Sequence, residues 1–120
     1  MNKKSLRKLY KEKRLEMSSK EVEAISKTIR LRLVEHFDFS KKLVNVFLPI
    51  QRFNEIDLTP LVDEIIKNDG EICLNKANFK TNTITPYLYS KTSDIKVNSY
   101  GIPEPNQGII VQQKEIDYVI

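Results

Sequence analysis

Apolar positions recur at helical spacing through the first 40 residues and then change to short runs. Leu6, Leu9, Lys13 and Met17 share one face, which predicts a helix over about residues 2–17. Beside that face, Lys3, Arg7, Tyr10 and Arg14 follow one another at four-, three- and four-residue intervals and stack within a narrow arc. Ser18-Ser19-Lys20-Glu21 is a capping-box pattern with Ser18 as N-cap. It opens a second helix whose buried stripe is expected to be Val22, Ile25, Ile29, Leu33 and Phe37.

After Lys41-Lys42 the pattern shortens. Leu43-Val44-Asn45-Val46-Phe47-Leu48, stopped by Pro49, predicts a buried strand over 43–48. A loop covers 49–58. Thr59 as N-cap and Pro60 at the first helical position then open a third helix, which runs to about Asn68 and stops at Asp69-Gly70. Glu71 to Lys76 predicts a second strand. Strand, helix and strand within about 30 residues is the βαβ signature, so a parallel sheet is expected. Thr83–Tyr89 alternates like an edge or hairpin strand, and Lys91–Asn98 is expected as a polar connection. Tyr100-Gly101-Ile102-Pro103-Glu104-Pro105 is expected as a rigid turn. Ile116–Ile120 is expected as a central strand with the remainder of the domain beyond it. The resulting organisation is one α/β part, residues 43–120, carrying a helical arm, residues 1–42.

Composition narrows the class. The chain has 120 residues, 40% hydrophobic and 30% charged, with three glycines and five prolines, so it is an ordinary folded mixture and not a disordered one. No apolar run approaches the roughly 18 residues of a membrane span. The N-terminus is charged where a secretory signal carries an apolar core. A lone Cys73 forms no internal disulfide, and a reducing cytoplasm fits these features. The net charge of +4 is uneven: residues 1–42 carry 13 Lys/Arg against 6 Asp/Glu, a balance of +7. A basic first third implies an anionic partner or, more plainly, a solvated helix surface.

Candidate chemistry is sparse. Sheet proteins of this kind bind ligands outside the carboxyl ends of their strands, which places Glu55 and Asp57 in the loop after the first strand at such an end. On pattern alone, solvated surface is the plainer reading of both acids. Cations at positions 3, 7 and 14 repel one another slightly unless an anion lies between them. His36, the only histidine, has no second histidine or cysteine beside it to build a metal site or a catalytic pair. No GxGxxG, GxxxxGK[ST], HExxH or CxxC occurs. Cys73, inside an apolar strand, is expected to be core packing.

Four segments together carry a family resemblance: Lys3-Lys4-Ser5-Leu6-Arg7, Val46-Phe47-Leu48-Pro49, Asn54-Glu55-Ile56-Asp57, and Tyr100-Gly101-Ile102-Pro103-Glu104-Pro105. In this order and at these separations the chain resembles the N-terminal portion of the 5-formyltetrahydrofolate cyclo-ligase (5,10-methenyltetrahydrofolate synthetase) family, over nearly all its length. The resemblance implies a Rossmann-like layered α/β fold with two N-terminal helices, truncated here before its C-terminal part. It also implies a ligase of one-carbon metabolism that uses ATP and Mg²⁺. ATP phosphorylates the formyl oxygen, folate N10 attacks the activated carbon, and phosphate leaves.

Carried over by position, Lys3, Lys4 and Arg7 meet the nucleotide phosphates, with Arg7 also near the substrate. Phe47, Leu48 and Pro49 line the folate pocket, and Glu55 accepts hydrogen bonds from the donor-rich edge of the pterin. Tyr100 stacks on the ligand or packs under the Pro103–Pro105 turn. Arg14 continues the cation stripe with no direct contact implied. Two departures stand out. Asn75 occupies a strand exit where the family commonly has proline. The family's Arg/Gly-rich loop with its Tyr-Tyr-Asp-like ending, which grips nucleotide and metal, falls beyond Ile120, so metal ligands are expected there and the chain alone is expected to be inactive. The alternative reading is a non-catalytic basic module whose helical arm binds RNA or another polyanion. Against it stands the lack of interleaved surface aromatics.

Overall fold

In the computed structural model, which describes Met1–Ile120, the short apolar runs build the sheet and the longer periodic segments the helices. Leu43–Val46 forms β1 and Glu71–Asn78 forms β2, joined through helix α3, Thr59–Lys67. The two strands pair in parallel from Leu43↔Glu71 to Val46↔Leu74, the βαβ unit that the spacing predicts. β2 turns at residues 79–82 into β3, Thr83–Tyr89, which runs antiparallel to it. β6, Tyr118–Val119, joins the other side of β1 in parallel, giving the order β3-β2-β1-β6. β6 thus lies next to β1 at one side of the four strands that these residues form.

Two segments read as connections prove to be strands. β4, Ile95–Val97, and β5, Pro103–Pro105, pair with each other as a separate antiparallel ribbon. Proline escapes sequence patterns for strands because it lacks a donor, yet a short two-stranded ribbon leaves positions where no donor is needed.

Alternation within β1 and β2 sets the core. Val44, Val46, Ile72 and Leu74 meet Leu58, Leu61, Val62 and Ile65 from α3 and its approach, with Phe39 completing a cluster of nine buried residues. Each such side chain contributes about 1.5–3 kcal/mol by leaving water. Gly70 lies where α3 hands over to β2. A Cβ there would sit 2.5 Å from Ile65 Cγ2 and 2.7 Å from the Phe39 carbonyl oxygen, so no larger residue fits. The start of α3 differs from expectation. Thr59 is its first helical residue, Leu58 holds the cap position without a side-chain bond, and the Asp57 carboxylate accepts from Thr59 N at 2.9 Å.

The helical arm is α1, Lys3–Leu15, and α2, Ser19–His36. Asn2 caps α1 by accepting from Ser5 N at 2.9 Å. Ser18 caps α2 by accepting from Glu21 N at 3.2 Å, and its hydroxyl donates to Glu21 Oε1 at 3.1 Å. The predicted stripes pack less than their periodicity suggests. No residue of α1 is buried, and Ile25 and Phe37 of the α2 stripe are exposed. The one buried residue of α2 is Ser26. Its hydroxyl accepts from Asp57 N at 3.0 Å, while Arg30 Nη1 donates to Asp57 O at 2.8 Å. Phe37 rests edge-on against Tyr118, ring centroids 5.6 Å apart. Polar bonds to the 49–58 loop, and not a full apolar face, therefore seat α2.

On the opposite sheet face, Asn45 is buried inside β1. Its Nδ2 donates to Asn75 Oδ1 at 2.9 Å and Asn75 Nδ2 returns a bond to Asn45 Oδ1 at 3.2 Å. Asn75 thus has a partner that a proline could not supply. Asn45 also reaches Cys73 Sγ at 3.4 Å. Burial pushes the Cys73 thiol above its ordinary pKa, opposed by that bond.

Candidate functional site

The site begins where β1 stops. Phe47 and Leu48, expected inside the strand, leave the sheet ahead of Pro49 and become walls. The chain then makes a 3₁₀ turn, Gln51–Phe53, and a left-handed residue, Asn54 at φ 51°. Asparagine tolerates that conformation because its short amide bonds locally. Here the amide donates to Arg14 O at 2.7 Å and Met17 O at 3.0 Å, satisfying carbonyls at the end of α1. Arg14 Nε returns a bond to Phe53 O at 3.3 Å, and Lys11 Nζ stands 3.9 Å from the Phe53 ring centroid. The loop and the arm thus hold each other in place.

Between them opens a pocket of about 430 Å³ lined by Phe47, Leu48, Ile50, Ile56 and Ile102, with Arg14 and Glu55 as its polar groups. Glu55 Oε2 accepts from Ile50 N at 2.9 Å, which orients the carboxylate and leaves Oε1 without a protein donor. Arg14 is half-buried and within salt-bridge reach of no carboxylate, so the charges of Arg14 and Glu55 are not spent on each other. An apolar slot with one fixed acceptor and one cation suits a flat, donor-rich, partly anionic ligand.

The structure gathers Phe47, Leu48 and Glu55 of the predicted site residues into this pocket. Pro49 faces an adjoining polar hollow of about 230 Å³ that shares Glu55. Tyr100, exposed, lies on the far side of Ile102, its ring 4.3 Å from that of Phe79. Lys3, Lys4 and Arg7 do not reach the pocket lining. They stand exposed on α1 with no ion pair. Arg7 is two helical turns from Arg14 on the same face, about 10 Å along the axis, and Lys3 about 6 Å further. A cation row therefore leads away from the pocket mouth.

Sequence reasoning did not expect contact from Arg14 and missed Ile50, Ile56 and Ile102. Ile56 and Ile102 stood inside the Asn54–Asp57 and Tyr100–Pro105 motifs; Ile50 carried no signal, since a loop has no period. No three His, Cys, Asp or Glu side chains converge anywhere in the chain. Its own residues do not fit a metal centre, and no step is derived through one. A hollow of about 530 Å³ at the end of α2 holds Asp38, whose carboxylate accepts from Ser40 Oγ and Ser40 N. Those bonds hold its pKa below the ordinary value. No helix is long and apolar enough to cross a membrane.

This geometry defines an α/β protein with an open pocket at the carboxyl end of its first strand. Comparison makes it specific. The profile of the 5-formyltetrahydrofolate cyclo-ligase family matches residues 1–120, and the chain belongs to that family. Among solved structures it is similar to the NMR structure of Aquifex aeolicus 5,10-methenyltetrahydrofolate synthetase, at 32% identity and a TM-score of 0.76. That match covers 99% of this chain and 59% of the other. A search of curated proteins returns no match.

Proposed function

We propose that the chain supplies part of the site for the ATP-dependent closure of 5-formyltetrahydrofolate to 5,10-methenyltetrahydrofolate, in the cytoplasm, and that these 120 residues alone bind its ligands weakly and do not complete the reaction. The γ-phosphoryl group passes to the formyl oxygen, folate N10 attacks the activated carbon and loses its proton, and phosphate leaves. The observation that carries this reading is the pocket in which Glu55 is held by Ile50 N among five apolar side chains. In it Glu55 Oε1 accepts from the pterin's ring N–H and amino group. Phe47, Leu48, Ile56 and Ile102 keep water from the activated carbon, and Arg14 faces developing negative charge. The unpaired row of Lys3, Lys4 and Arg7 meets the triphosphate, which answers the repulsion along that stripe.

Isothermal titration of the purified chain with 5-formyltetrahydrofolate, beside thermal melting with Mg-ATP, tests the reading. Native-state binding raises the melting temperature. Glu55→Gln should weaken formylfolate binding about tenfold or more, the effect of losing a bond to a charged group. The triple change K3A/K4A/R7A should weaken Mg-ATP and leave formylfolate alone. Salt-sensitive binding of a polyanion with no response to either ligand would replace the enzyme reading with the basic-module one.

A further inference from the structure

β4 and β5 form a hairpin whose tip, residues 98–102, reaches the Glu55 pocket. The base of the hairpin is anchored on β2. Buried Glu104 accepts from Ala77 N through Oε2 at 3.3 Å, and Lys76 Nζ donates to Asn106 O at 3.0 Å. Asn98 shapes the tip: its Oδ1 accepts from Tyr100 N at 2.9 Å and Ile102 N at 3.1 Å, and its N donates to Ile102 O at 3.0 Å. Half-buried Ile102 lines the Glu55 pocket, while Tyr100 faces a hollow of about 590 Å³ and rests against Phe79 of the β2–β3 turn. None of these bonds fixes the tip against the loop that carries Glu55.

Arg52 does. It stands in the 3₁₀ turn of that loop, and its Nη2 donates to Tyr100 O at 3.2 Å. The guanidinium lies 4.7 Å from the Phe53 ring centroid and has no carboxylate within salt-bridge reach. Gly101 makes the room for it. A Cβ there would lie 2.6 Å from Arg52 Nη2 and 3.1 Å from Cζ, and the φ of 79° also favours glycine. The turn is flanked by Ile50, whose N orients Glu55, and by Asn54, which holds the end of α1. Three walls of the pocket therefore meet at residues 50–54.

We infer that the β4–β5 hairpin is a flap over the Glu55 pocket and that Arg52 is its clasp, a positioning residue that sets Ile102 against the ligand without touching it. The inference rests on the folate reading of that pocket. Released from Arg52, the tip pivots on its β2 anchor, Ile102 draws back, and water enters beside Glu55. Hydrogen bonds to a carboxylate are stronger where water is excluded, so the loss falls on the ligand of this pocket. The cation row on α1 does not feel it.

Hydrogen exchange and NMR shift titration of the purified chain test the clasp. Arg52→Ala should quicken exchange at the Tyr100 and Ile102 amides and leave β1 and β2 unchanged. It should weaken 5-formyltetrahydrofolate about fivefold, the worth of one hydrogen bond, with Mg-ATP affinity and urea midpoint unmoved. Arg52→Lys keeps one donor and should limit the loss to about twofold. Gly101→Ala, which displaces the guanidinium from the other side, should weaken formylfolate in the wild type and add little to Arg52→Ala. A purely structural role would instead lower the urea midpoint and weaken both ligands alike, and that result overturns the clasp. Unchanged formylfolate affinity in Arg52→Ala, with the wild type still binding, overturns it too and leaves the pocket standing. A wild-type chain that binds no formylfolate overturns both.

Discussion

Residues 1–42 and residues 43–120 are joined to the molecule by different physics. Of the seventeen buried residues only Ser26 and Phe39 belong to the arm. The α/β part is held by interdigitated Val, Leu and Ile side chains across β1, β2 and α3. Most of the arm instead attaches through single polar bonds from Arg14, Met17, Ser26 and Arg30 to Phe53, Asn54 and Asp57. Apolar burial adds over area, whereas a hydrogen bond exchanges one partner for water and nets about 1 kcal/mol. The arm therefore opens at lower free energy than the sheet, and its docking loop is the one that carries Glu55. Under the proposed function, a ligand held by both Glu55 and Arg14 would bridge that seam, so binding and arm docking would reinforce each other.

The sharpest way to break the contrast is to cut equal apolar volume from each region. Leu61→Ala, 1% exposed between α3 and the sheet, should cost about 2–5 kcal/mol in denaturant unfolding. Ile25→Ala, on the exposed side of α2, should stay within about 0.5 kcal/mol. Comparable losses would show that the arm shares the core.

A polar deletion should reverse the sensitivity. Asn54→Gly keeps the left-handed backbone freedom but removes two bonds to the end of α1, at a cost of about 1–2 kcal/mol. Hydrogen exchange should quicken in α1 and not in β1 or β2. Uniform quickening, or none, would disprove the seam.

The smallest effect lies in the core face. The folded Cys73 thiol keeps its proton above the ordinary value of 9.0, while the unfolded chain releases it there. Above that pH the unfolded state binds fewer protons, so stability falls as pH rises, by at most about 1.4 kcal/mol per pH unit. Urea midpoints at pH 8 and 10 should differ more in wild type than in Cys73→Ala. An arm cysteine placed at Leu31, 51% exposed, should react with a thiol reagent in the native state while Cys73 does not.

Much of the fold was legible because local rules governed it. The Ser18 cap and the Asp69-Gly70 stop depend on neighbours within a few residues, the βαβ unit follows from the order and spacing of three consecutive elements, and each is present. The strands around Pro103 and Pro105 were not legible, since pairing with Ile95–Val97 comes from a separate segment. Nor was the bare outer face of α2: periodicity says which residues can share a face, not how much of that face a partner covers.

The site divides the same way. Only the family resemblance marked Phe47, Leu48 and Glu55 as site residues; on pattern alone Glu55 read as solvated surface and the two apolar residues as strand. That Arg14 joins them, that Pro49 and Tyr100 stand in adjoining hollows, and that Lys3, Lys4 and Arg7 lie along a row outside the lining were decided only in three dimensions. The order of amino acids alone determined the elements, their polarity and the family. Where the arm sits across the 49–58 loop, and hence which charges face one pocket, depends on a few long-range polar bonds that leave no periodic trace in the chain.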